Sequence, residues 1–71
     1  MYETTFIDNT RVHIIGTTDT LNKAIDAAAA YAKSMSYSAR IIDTLFDDDG
    51  ADVAIAVSSS RVEIFRIDRI N

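Results

Sequence analysis

Five of the chain's acidic residues, Asp43, Asp47, Asp48, Asp49 and Asp52, fall close together around Gly50, one of only two glycines. Carboxylates at this density can chelate a hard cation or present negative charge to a basic partner. A calcium loop of the EF-hand type needs oxygen ligands at alternate positions, a central glycine and a closing bidentate glutamate. The residue at the closing position after Gly50 is Ala56, so the metal reading fails on the sequence. The same residues fit a hairpin tip: Asp49-Gly50 suits the positive φ angles of a type I′ turn, and Asp47, Asp48 and Asp52 keep the tip solvated. With Asp43 they form an acidic edge matched to Arg and Lys on a basic, nucleic-acid-binding protein.

Other chemistry is sparse. His13 has no second histidine and no cysteine to share a zinc ion. Ser58, Ser59 and Ser60 read as a turn with no general base beside them, which gives no route to an activated nucleophile. Two glycines cannot form a glycine-rich phosphate loop, and the aromatic residues lack the interleaved basic residues of a single-strand platform. Arg61, Arg66 and Arg69 are the basic feature of the last segment; alternation points Arg66 and Arg69 to opposite faces, where pairing with neighbouring acids is expected. The chain reads as no enzyme, with no cofactor and no metal.

The elements that position these groups follow from periodicity. Residues 2 to 7 and 11 to 15 are rich in β-branched and aromatic types and flank Asp8-Asn9-Thr10, which predicts a hairpin. After Gly16 the period changes: Leu21, Ile25, Ala28, Ala32 and Met35 make one helical stripe, capped by Thr17, Thr18 or Asp19 and ending near Ser36 or Tyr37. From Ala39 onward, turns at Asp49-Gly50 and Ser59-Ser60 predict three antiparallel strands over 39–47, 52–58 and 61–69. The fold class is α+β, a single small domain over residues 1–71 in the order ββαβββ, with an antiparallel sheet and one helix packed on one face.

That arrangement has a consequence. If Ile42, Phe46, Val53, Ile55, Val57, Val62 and Ile64 face the helix, then Ile41, Leu45, Ala54, Ala56, Phe65 and Ile67 point the other way, and one helix cannot cover both faces. Such a patch marks an interface unless the N-terminal hairpin folds over it. Leu45, Phe65 and Ile67 are the expected apolar anchor, and the acidic tip is the expected steering charge. A domain of this size buries only about 60% of its unfolded surface. Without cysteine or a metal site, a homodimer or another partner is the expected supplement.

A net charge of −4 disfavours direct binding to nucleic acid or anionic lipid, and no apolar run reaches the length of a membrane span. The start Met1-Tyr2-Glu3-Thr4-Thr5 has no basic region leading an apolar one, so an intact, soluble, cytoplasmic chain is expected. The hairpin, the alanine-rich helix opening Asp19-Thr20-Leu21-Asn22-Lys23-Ala24, and the meander ending Val62-Glu63-Ile64-Phe65-Arg66-Ile67 give a format that resembles small bacteriophage and mobile-element accessory proteins of the anti-CRISPR and anti-defence type. The resemblance implies a non-enzymatic inhibitor that docks on a host complex and occludes it in the host cytoplasm. The alternatives are a homo-oligomeric assembly protein, or a small-ligand sponge formed at a dimer interface.

Overall fold

A computed structural model describes residues 1–9 and 11–70, with β1 (Tyr2–Ile7), β2 (Val12–Thr18), α1 (Leu21–Met35), β3 (Arg40–Asp47), β4 (Gly50–Ser58) and β5 (Arg61–Arg69). The α+β order ββαβββ is the expected one. All five strands join one antiparallel sheet in the order β2-β1-β5-β4-β3. The N-terminal hairpin does not fold over the sheet. It extends it, because β1 pairs along its whole length with β5, from Tyr2 opposite Arg69 to Ile7 opposite Ile64. The first and last strands therefore meet at the sheet centre, where the Ile70 amide donates to the Met1 carbonyl at 3.0 Å. Of the expected first turn, Thr10 lies outside the described residues.

The helix starts one residue later than the expected caps. Thr17 and Thr18 belong to β2, and Thr20 is the N-cap, its hydroxyl accepting from the Lys23 amide at 3.1 Å. Ala24, Ala28 and Ala32, spaced by four, are fully buried against the sheet. With only methyl groups at the contact, the helix backbone approaches the strands closely enough for the buried Thr4 hydroxyl to donate to the Ala24 carbonyl at 3.4 Å. The core behind this contact is aromatic: Phe6 stacks on Phe65 with centroids 5.0 Å apart, and Tyr31 meets Phe65 edge-on at 6.0 Å. His13 stacks on the outer side of Phe6 at 5.9 Å.

The register departs from expectation at one turn and at two bulges, and the bulges overturn part of the expected facing. The β3–β4 loop is Asp48-Asp49, with Asp47 paired to Gly50, so Gly50 opens β4 instead of sitting in the turn. A Cβ on Gly50 would lie 1.8 Å from the Ile67 carbonyl oxygen, so glycine is required by this close approach. The β4–β5 hairpin begins as expected, Ser58 opposite Arg61, but a bulge at Val57 then shifts the ladder by one, so that Ala56 faces Val62 and Val53 faces Phe65. One inserted residue exchanges the two faces of the following strand. Phe65 and Ile67, expected on the open face, are 0% exposed in the core, while Val62 and Ile64 turn outward. Ile41, also expected there, pairs with core Ile55 on the helix side because Ile42 is bulged out of the β3–β4 ladder, and Phe46, expected to be covered by the helix, is 65% exposed.

Burial separates the two expected anchors sharply. Phe65→Ala should cost about 3–5 kcal/mol, comparable to the whole stability of a small domain. Leu45→Ala, at a side chain 64% exposed, should change stability by about 0.5 kcal/mol or less. Urea denaturation of both variants checks the assignment, and equal losses would contradict it.

Candidate interaction surface

Cross-strand partners in a sheet share a face, so the pairings define what the side away from α1 presents. One row crosses four strands as Val12, Ile7, Ile64 and Ala54 and is apolar throughout. The next row reads Ile14, Thr5, Arg66, Asp52 and Leu45, and beyond Ile64 lies the pair Ala56–Val62. Val12 is 65% and Ile14 66% exposed, and Ile7, Leu45, Val62 and Ile64 are also exposed. Among the described residues nothing covers this face: α1 lies on the other side, against the buried residues of β1, β4 and β5. Complete burial of each large aliphatic side chain would contribute about 1.5–3 kcal/mol.

The polar part of the same face is organised by Arg66. Its guanidinium binds Asp47 at 2.7 Å, Asp52 at 3.3 Å and Asp68 at 2.9 Å, and its side chain is 21% exposed. Asp47 in turn accepts from the Asp49 and Gly50 amides, both at 2.8 Å, so one carboxylate ties the hairpin turn to the centre of the sheet. The Arg66 guanidinium, followed by the Asp49 amide, lowers the Asp47 pKa from 3.8 to about 2. The three carboxylates raise that of Arg66. Glu3 and Asp43 also project to this side, opposite Asp68 and Ala54, so five carboxylates stand against the two guanidinium groups of Arg40 and Arg66.

The expected site residues thus divide. Asp43, Leu45, Asp47 and Asp52 share the open face; Asp48 and Asp49 form the exposed tip beside it; Phe65 and Ile67 belong to the core. Sequence reading missed Ile7, Val12, Ile14, Val62 and Ile64 as members of the patch. Alternation within 2–7 and 11–15 held part of the signal, but placing it needed the β1–β5 pairing, which no local pattern encodes. A shallow depression of about 250 Å³ is lined by Ser38, Arg40, Ala56, Ser58 and Ser59, with no carboxylate or imidazole in its wall. Among the described residues no group of three or more His, Asp or Glu side chains could hold a metal ion, and no helix is long and apolar enough to cross a membrane.

Because the folded pKa of Asp47 lies below 3.8, its stabilising contribution is complete above that value and is lost as the pH falls towards about 2. Asp47→Asn should therefore flatten the acid limb of the stability profile across that interval. Denaturant titrations at a series of pH values check this, and an acid limb identical to the parent's would contradict it. Comparison of the chain with protein-family models, with curated proteins and with solved structures finds no match.

Proposed function

We propose that this protein is a non-enzymatic binding module that docks on another protein through its open sheet face and blocks the surface it covers. The supporting observation is the uncovered apolar row Val12–Ile7–Ile64–Ala54, with Ile14, Leu45 and Val62 beside it. Apolar burial supplies the affinity; exposed ion pairs contribute roughly 0–1 kcal/mol each and set approach and orientation. The carboxylate excess on this face and at the Asp48-Asp49 tip favours a basic partner, such as a nucleic-acid-binding complex. The resemblance in format to phage accessory proteins supports a host complex as the target and obstruction as the mode of action.

Affinity capture from a bacterial lysate tests the reading with Ile7→Asp and Ile64→Asp, both checked for folding by circular dichroism. Each should lose a protein that the parent and a Lys33→Glu helix variant retain. Capture unaffected by either substitution would remove the open face from the function. With a captured target in hand, joint charge reversal at Asp43, Asp48 and Asp49, none of which binds Arg66, should slow association about tenfold at low salt. The difference should fade at high salt, and an unchanged association rate would exclude electrostatic steering.

A further inference from the structure

We infer that the free edge of β3 pairs antiparallel with β3 of a second copy, about a two-fold axis through Thr44. This goes beyond the docking role of the open face and stands independently of it. β3 is a terminal strand of the sheet, eight residues long, with no lysine or proline in it; the Thr44 amide is capped by the Asp43 carboxylate at 2.9 Å, a contact that the pairing replaces with the Thr44 carbonyl of the second copy. Ile41, Ile42, Leu45 and Phe46 are all exposed along it. The opposite edge, β2, reads VHIIGTT and has neither an acidic residue nor a lysine or arginine with which to fix a register.

The sequence of β3 is complementary to itself in one register. Against β4, Arg40 pairs with Ala56, Ile41 with Ile55, Asp43 with Ala54, Thr44 with Val53, Leu45 with Asp52, Phe46 with Ala51 and Asp47 with Gly50, and Ile42 is the bulged residue. Because of that bulge, Arg40 and Asp47 lie on the same face, as do Ile41 and Phe46; an unbroken alternation would place each pair on opposite faces. Rotation about Thr44 then sets Thr44 against its twin, Ile41 against Phe46 on the helix side, Leu45 against Asp43 beside the bulged Ile42, and Arg40 against Asp47 on the open face.

Charge favours this same register. Arg40 is exposed and forms no ion pair among the described residues, whereas Asp47, Asp52 and Asp68 share the single guanidinium of Arg66. The unpaired cation of each copy thus meets the carboxylate excess of the other. The product is a continuous antiparallel sheet of two five-stranded halves, with both helices on one side and both open faces on the other.

Sedimentation velocity of the unmodified chain is expected to show a dimer that Phe46→Lys converts to monomer. Thr44→Cys, in a chain without cysteine, reads the register: directly paired residues have Cα atoms about 4.5–5.5 Å apart, within disulfide range, whereas the Leu45→Cys pair sits on a diagonal of about 7–8 Å. Under mild oxidation Thr44→Cys should cross-link at least about tenfold faster than Leu45→Cys. A monomer at every concentration overturns the proposal, as does a dimer in which the Leu45→Cys chain links as fast or faster. Ile64→Asp should leave the cross-linking rate unchanged, so failure of target capture and failure of self-pairing are read separately.

Discussion

Between Ala56 and Ser58, β4 carries one residue more than the stretch of β5 opposite it, and every side chain of β5 takes its face from that step. With the bulge, Phe65 and Ile67 complete the core that Phe6, Tyr31 and the buried alanines of α1 close from the other side. The same step sends Val62, Ile64 and Arg66 outward. Arg66 then reaches Asp47 and Asp52 on the two strands beyond it, and Ile64 completes the apolar row with Ile7. Core, ion cluster and exposed patch therefore share one geometric origin. Neither the aromatic stack nor the Arg66 cluster survives a β5 shifted back by one residue.

Local signals in the sequence were strong where the physics is local. Period 3.6 from Leu21 to Met35, the alanine stripe and the three strands after Ala39 all appear within a residue or two of their expected limits. The cap was misplaced because four consecutive residues, Thr17 to Thr20, all carry a side-chain oxygen; which of them caps depends on where β2 ends. The acidic turn was misread by one residue because Asp49-Gly50 has good turn chemistry of its own, whereas the observed need for glycine comes from the Ile67 backbone far along the chain. The bulge at Val57 left no local trace: Ala56, Val57 and Ser58 would each fit an unbroken strand. One-residue irregularities are settled by which face packs better, and Phe65 fits beneath Tyr31 in a way that the smaller Ile64 cannot reproduce.

The open face is apolar, but not in the residues expected: Phe65 and Ile67, two of the three expected anchors, lie in the core, and only Leu45 stays exposed. Leu45, Asp43, Asp47 and Asp52 remain on the open face, joined by residues of the N-terminal hairpin, whose place in the sheet the sequence leaves open. What the face presents is thus a product of topology. The hairpin contributes Ile7, Val12 and Ile14 only because β1 inserts beside β5 and carries β2 with it.

The insertion of β1 beside β5 also governs how the chain reaches its native state. The first strand of the sheet in sequence order is completed by the last, with Tyr2 opposite Arg69, so this ladder joins residues far apart in sequence. Contacts of such long separation slow the search, because closure entropy is spent before the pairing rewards it. Pairing of β1 with β5 therefore binds the two halves of the sheet into one cooperative unit, in which neither strand has its full set of ladder partners until the other is in place.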